Sequence, residues 1–234
     1  MAAPDGQIAI AAIPGQSLVR LSQSGSPLSL DIQPLTSSTS PPSESSSPAA
    51  SVPTAISLPE LLTGGEWSSA TGASVNEQGQ VVLTGSGLAV EPGDVAVRGS
   101  ITGQAATLEA THNLTLAESN LQANTDLNLL AQNTVRVRDS VATPFGAQAG
   151  GNLLIRGNQG IDILALNHPG TPFQSGRNLT LVSNGVISGD ARFASQGQFS
   201  VLTLDNTPGN LISLYDPIIS ADGDVTLGDY TGAA

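Results

Sequence analysis

The chain contains no cysteine and no lysine. Without cysteine there are no disulfides, no thiolate zinc sites and no thiol nucleophiles. A chain that crosses a membrane unfolded has a reason to lack cysteine. Without lysine, seven arginines face nineteen carboxylates, for a net charge of -12. That balance excludes nucleic acid as a partner, because phosphates demand a basic face. An anionic membrane surface is disfavoured for the same reason. Aromatic residues make up 3% of the chain and charged residues 11%, the latter far below the roughly 25% usual in soluble domains. A core must therefore come from Val, Leu, Ile and Ala, with Asn, Gln, Ser and Thr meeting the solvent. No apolar run approaches the roughly twenty residues of a membrane-spanning helix. Met1-Ala2-Ala3-Pro4-Asp5 has neither the basic nor the apolar region of a signal peptide.

What the sequence does have is a repeat. Asp126-Leu127-Asn128-Leu129, Asn152-Leu153-Leu154-Ile155 and Asn178-Leu179-Thr180-Leu181 start 26 residues apart, twice in succession. Val135-Arg136-Val137 returns 26 residues on as Ile161-Asp162-Ile163, and Thr143-Pro144-Phe145 returns with two residues of slack as Thr171-Pro172-Phe173. A fixed period in the twenties with strand-like segments in each unit is the mark of a solenoid whose units bury their apolar faces on one another. The expected fold is all-β, a parallel β-helix. A β-sandwich also has short strands and frequent turns, but it has no reason to repeat loop residues such as Thr143/Thr171 and Pro144/Pro172. Many strands open with Asn, Asp or Gln, then two apolar residues flanking a third of any kind. Period-two alternation turns both apolar residues inward, and the polar residue ahead of them suits a turn where Asn and Asp tolerate unusual backbone angles.

Four stretches are distinguished along the chain. Residues 1–35 hold three short apolar runs separated by Pro and Gly, a short β segment read as one coil or a small sheet. From Thr36 to Ser51, thirteen of sixteen residues are Ser, Thr or Pro. Such a composition buries too little apolar area to offset its ordering entropy, so 36–56 reads as a disordered insert. Residues 57–74 carry one helical turn, with Ser57 as cap, Glu60 three residues on and Gly64 at its end. A Gly- and Ser-rich loop with the lone Trp67 follows. Residues 75–234 carry the regular strand rhythm, in repeats of about 20–26 residues of the kind that stack as a solenoid.

The residues offer little chemistry. Glycoside hydrolysis needs two carboxylates across the scissile bond, but Asp126, Asp139, Asp162, Asp190 and Asp205 fall one per strand or turn. Asp222-Gly223-Asp224 reads as a turn, because a calcium site needs six or more oxygens. His112 and His168 are the only histidines; both adjoin turn sequence and neither belongs to a metal-spaced pair. The glycosylation-like Asn113-Leu114-Thr115 and Asn178-Leu179-Thr180 are instances of the repeat phrase. Stacking by 26 residues sets Arg136 against Asp162 on an outward face that Arg138 shares, an exposed pair worth under about 1 kcal/mol. Phe145, Phe173, Phe193 and Phe199 are expected inside or at corners, with Phe145 and Phe173 in equivalent places. No catalytic, cofactor-binding or metal-binding residue is expected, and the chain is expected not to be an enzyme.

Several long phrases carry a family likeness: Ile13-Pro14-Gly15-Gln16-Ser17-Leu18-Val19-Arg20-Leu21, Leu58-Pro59-Glu60-Leu61-Leu62-Thr63-Gly64-Gly65, Asn133-Thr134-Val135-Arg136-Val137-Arg138-Asp139-Ser140 and Tyr215-Asp216-Pro217-Ile218-Ile219-Ser220. With them the chain resembles the filamentous-haemagglutinin-like exoproteins of two-partner secretion, particularly large cyanobacterial members. The resemblance implies a right-handed β-helix exported through an outer-membrane transporter barrel, then folding at the cell surface or in the medium. It also implies roles in adhesion, aggregation or scaffolding, with surface glycans or neighbouring cells as partners. The family's Asn-Pro-Asn-Gly-type secretion motif is absent from this sequence, so the expectation is an internal or truncated segment of a longer exoprotein. Open coil ends would expose unpaired strand edges, which leads to an expectation of self-association. The alternatives are a carbohydrate-active β-helix enzyme, lyase or hydrolase, and a nonfunctional fragment.

Overall fold

A computed structural model describes residues 1–12 and 93–232 in full and, between them, the backbone of four strands. In chain order the first five strands are β1 (Ala2–Ala11), β2 (Ser17–Ser22), β3 (Ser29–Pro34), β4 (Gly72–Val75) and β5 (Val81–Thr84). β2 pairs antiparallel with β3, and β4 with β5, each pair forming a sheet of its own. Only β1 of the amino-terminal runs joins the large sheet, which resumes at Val95 rather than at residue 75. The insert at 36–56, the helical turn expected in 57–74 and Trp67 lie outside the described residues.

The large sheet holds sixteen strands, and every strand-to-strand pairing within it is parallel. After β1 come β6 (Val95–Ala110), β7 (Leu114–Ala123), β8 (Leu127–Ala131), β9 (Thr134–Arg138) and β10 (Gly146–Ala149). Next are β11 (Leu153–Gly157), β12 (Gly160–Ala165), β13 (Phe173–Ser175), β14 (Leu179–Val182) and β15 (Val186–Ser195). The last are β16 (Phe199–Leu202), β17 (Leu211–Ser213), β18 (Ile218–Ala221), β19 (Val225–Thr226) and β20 (Tyr230–Gly232).

The pairings sort into three ladders. One stacks the starts of β6 and β7 with β9, β12, the start of β15, β17 and β20. The second stacks the middle of β6 with the end of β7, then β10, β13, the end of β15 and β18. The third stacks β1, the end of β6, β8, β11, β14, β16 and β19. From Val95 onward the chain visits the three in that order, and each circuit adds one rung to each.

Register explains the repeat. Leu127, Leu153 and Leu179 are successive Cα partners, as are Leu129, Ile155 and Leu181, and all six are fully buried. Ile161 sits on Val135 and beneath Ile187. Burying each such side chain is worth about 1.5–3 kcal/mol, and all three ladders turn theirs toward one core. The four phenylalanines line up inside it, with ring centroids 5.1, 5.0 and 5.5 Å apart from Phe145 through Phe173 and Phe193 to Phe199. The equivalence of Phe145 and Phe173 needs correction, however. Phe173 is in register with Ala147, and Phe145 lies two residues earlier. The small Ala147 side chain leaves the space that the Phe145 ring fills from outside the rung.

The polar residues that open the strands also have a different task from the expected one. Asp126, Asn152 and Asn178 do not hold left-handed backbone; among the described non-glycine residues only Glu118, Asn206 and Asp216 do. Instead, the backbone N–H of Asn152 donates to Asp126 Oδ1 at 2.7 Å, that of Asn178 to Asn152 Oδ1 at 3.3 Å, and that of Gln198 to Asn178 Oδ1 at 3.0 Å. Each side-chain oxygen thus satisfies a donor of the next circuit, which would otherwise be left unpaired at a strand start. At the adjoining corner backbones stack so closely that a Cβ on Gly150 would lie 2.1 Å from Asn124 O, and one on Gly176 2.2 Å from Gly150 O.

The two ends of the sheet differ. Ile8 in β1 and Val95 in β6 are buried, whereas Val225, stacked on Phe199, is 51% exposed and Tyr230, stacked on Leu211, is 47% exposed. The core is therefore tightest in its middle rungs. Phe173→Ala, which removes the central ring of the stack, should cost about 3–5 kcal/mol. Urea unfolding followed by circular dichroism tests this; an unchanged midpoint would show that the phenylalanine column contributes nothing to stability.

Candidate functional site

The carboxylates that the sequence scatters along the chain mostly hold successive circuits together. At the end of the first ladder, β7 bulges: Arg98 pairs with Ala117 but Gly99 pairs with Ser119, leaving Glu118 as the extra residue. Glu118 has φ 49° and Gly99 φ 100°, the local twist that a bulge requires. The Glu118 carboxylate is buried, pairs with Arg98 of the circuit before and accepts from Ser140 Oγ of the circuit after at 2.6 Å. Asp190, also buried, accepts from Ser213 Oγ at 2.5 Å and from the backbone N–H groups of Leu214 and Tyr215 at 2.9 and 2.8 Å. Asp139 takes the backbone and side-chain N–H groups of Asn167, both at 2.9 Å.

The pair of Arg136 with Asp162 forms in the expected register, but its surroundings require correction. Arg138 is not on an open face: its side chain is 8% exposed against 50% for Arg136, and the Asp162 side chain is 13% exposed. Arg138 Nη2 donates to Asp162 Oδ2 at 2.5 Å, while Arg136 Nε lies 3.6 Å from that oxygen. Arg138 Nη1 adds the carbonyls of Val137 and Asp162, at 2.8 and 2.9 Å. Asp162 therefore neutralises a buried guanidinium, and losing one member of such a pair costs far more than breaking an exposed one.

The other singled-out residues stay apart. His112 Nδ1 lies 2.7 Å from Asp94 Oδ1 at a corner between circuits, and His168 Nδ1 accepts the backbone N–H of Gly170 at 3.0 Å. Asn113 Oδ1 accepts from the backbone of Thr134, so both sequon asparagines act in the stacking of circuits. Asp222 and Asp224 sit on an exposed turn. Among the described residues no group of three His, Cys, Asp or Glu side chains is placed to hold a metal ion.

What the structure does assemble is a groove along the outside of the third ladder. It encloses about 660 Å³ and crosses four rungs, with Asn128, Leu154, Arg156, Thr180, Val182 and Leu202 among its walls. The register stacks Asn128, Leu154 and Thr180 in one row and Leu130, Arg156, Val182 and Leu202 in the next. Outward rows of an exposed sheet are ordinarily polar; these are mixed, and Val182 is buried although it points away from the core. Arg156 stands between two aliphatic neighbours, and its Nε is buried without a hydrogen-bond partner. On the second ladder Gln122, Gln148 and Gln174 stack in an outward row beside a shallower hollow of about 390 Å³.

The groove escapes a reading by alternation alone, yet the sequence carries its trace. Leu129-Leu130, Leu153-Leu154, Leu181-Val182 and Val201-Leu202 are apolar doublets, and in a strand one member of any doublet must face outward.

No family model matches the chain, and no curated protein or solved structure matches it either. The site is therefore defined by its geometry alone. It is long, shallow and built from amides, hydroxyls, aliphatic side chains and one arginine, a surface for an extended ligand laid across rungs.

Burial pushes the Asp139 carboxyl above the usual carboxylate range, against the pull of the Asn167 donors. The folded state then binds the proton more tightly than the unfolded one. The stability this contributes is complete below the unfolded pKa and is lost as pH rises through the folded value. Relative to Asp139→Asn, the wild-type chain should lose stability as pH rises from about 3 to about 6. Denaturation midpoints of both proteins across that range test the sign; a wild type that gains instead would show that the Asn167 hydrogen bonds outweigh burial.

Proposed function

We propose that this chain is a segment of a filamentous-haemagglutinin-like exoprotein of two-partner secretion, acting outside the cell as a non-enzymatic rod with an adhesive flank. In this reading the three ladders wind as a right-handed parallel β-helix, and the outer-membrane transporter barrel of such systems carries the longer protein out. The observation that supports the reading best is the groove that crosses four rungs of one ladder. Stacking circuits in register repeats its side chains along the long axis, which suits polymeric partners such as surface glycans better than small substrates. The absence of cysteine accords with export as an unfolded chain. The carboxylates named above are turned to holding circuits together, which leaves the groove to bind rather than to cleave.

Two measurements test this. Antibody raised against residues 126–201 should detect, in the source organism, a species well above 23.5 kDa in the surface wash or medium. A 23.5 kDa band confined to the cytoplasm would overturn the exoprotein reading. Incubation of the purified chain with acidic and neutral polysaccharides should leave their length distribution unchanged on size-exclusion chromatography. Shortened products would replace adhesion with a carbohydrate-active enzyme.

A further inference from the structure

A second hollow, separate from the groove, lies where three circuits meet at the corner between the first and second ladders. It encloses about 160 Å³ among His168, Pro172, Arg192, Tyr215, Asp216 and Ile218. That is about five times the share of one water molecule in the liquid, and below the 300 Å³ or so at which pockets for drug-sized ligands begin. One sugar ring with its substituents is of this size.

Its polar groups are held in place from behind. His168 and Arg192 come from different circuits, yet both bind Gly170. The Gly170 backbone N–H donates to His168 Nδ1 at 3.0 Å, and Arg192 Nη1 donates to Gly170 O at 3.3 Å. Because Nδ1 accepts there, the neutral ring carries its proton on Nε2. Arg192 belongs to no ion pair among the described residues. On the opposite wall, buried Asp190 fixes the backbone of Leu214 and Tyr215. Asp216 follows with φ 53°, and its Oδ1 accepts the Tyr230 hydroxyl at 2.8 Å. A non-glycine residue in that region persists only where its surroundings over-determine it. Tyr215 and Ile218 stand 47% and 58% exposed at the rim.

We infer that this hollow is a subsite for one uronic acid residue of an acidic glycan, an inference that rests on the adhesive reading above. A guanidinium without a carboxylate partner matches the planar carboxylate of a uronate, and the imidazole N–H is a second donor on the same side. Asp216 across the hollow accepts hydroxyl protons, which a uronate has and a bare oxyanion lacks. The same carboxylate repels a sulfate or phosphate ion that would satisfy Arg192 alone. Tyr215, Pro172 and Ile218 supply the apolar surface against which the C–H face of a sugar ring packs.

The test is calorimetric titration of the full chain with trigalacturonate and with the neutral galactose trisaccharide, alongside a glycan array probed with the same proteins. The wild type should bind the uronate and not the neutral sugar. Arg192→Gln should weaken uronate binding at least tenfold, Tyr215→Ala should weaken it as well, and Arg177→Gln, an exposed arginine away from the hollow, should leave it unchanged. Circular dichroism shows whether each variant folds, and two independent variants guard against loss of fold in one. Equal binding of both trisaccharides, equal binding of inorganic sulfate, preference for a zwitterionic dipeptide, or indifference to Arg192→Gln would each overturn the subsite. Array binding that survives Arg192→Gln would do so while leaving the adhesive reading standing; a wild type that binds no glycan at all would end both.

Discussion

Everything in the large sheet depends on one constraint: backbone groups are satisfied by the circuit before or after, not by neighbours in sequence. Strands obey it through parallel pairing, and so do the turns. Gly150 N donates to Ala123 O, Gly176 N to Ala149 O, Arg177 N to Gly151 O and Gly197 N to Arg177 O, all at 2.8 to 3.0 Å. A buried backbone donor without a partner is costly, so each circuit dictates the path of the next down to its corners. The close approach at Gly150 and Gly176 follows, since adjacent backbones at a hydrogen-bonded corner leave no room for a Cβ. The side-chain oxygens of Asp126, Asn152 and Asn178 extend the same rule to the N–H groups just ahead of the strands.

The sparse charge of the chain makes sense against that constraint. Where loops leave the corner after the first ladder, their backbone groups lack a strand partner in register, and acids take over. Glu118, Asp139 and Asp190 each serve the loop of a later circuit. Burying a carboxylate is tolerable only when it is fully hydrogen-bonded or paired, and these are. Arg138 and Asp162 answer the same need from opposite signs. A protein with nineteen acids and seven arginines can hold its loops this way only by using some of those acids as acceptors rather than as ion-pair partners.

How much of this was legible in the sequence follows from the same geometry. The 26-residue repeat is visible because β8, β11 and β14 belong to circuits of equal length, so Leu127, Leu153 and Leu179 recur at a fixed step. Between Phe173 and Phe193, or between Leu179 and Phe199, the step is 20 residues, and a fixed-period reading loses the thread there. The Arg136–Asp162 partnership is legible, since it needs only the step; the burial of Arg138 is not, since that depends on the loops that cover the face. The stacking of Phe145 on Phe173 was foreseen for the wrong reason, because two residues of slack in a loop change register without moving the ring out of the column. The hollow at Arg192 draws on residues 168, 192 and 216, on three circuits with different spacings, and no spacing rule brings those together.

The groove poses the sharper question of why outward positions should be aliphatic at all. A leucine facing solvent forgoes the stabilisation that burial gives its inward neighbour, and Leu130, Leu154 and Leu202 could be polar without disturbing the core, because each doublet already supplies one inward residue. Stacking gives the arrangement its physical meaning. Rungs about 4.8 Å apart turn single outward side chains into continuous rows, so Leu130, Val182 and Leu202 form an apolar strip interrupted once, by Arg156. A ligand lying along such a strip meets nearly the same surface at every rung and gains no register from it. Register must come from the interruption, where a guanidinium with a buried, unpartnered Nε offers the one strong donor in the row. The regularity of the fold thus supplies the binding surface, and its local departures supply the discrimination.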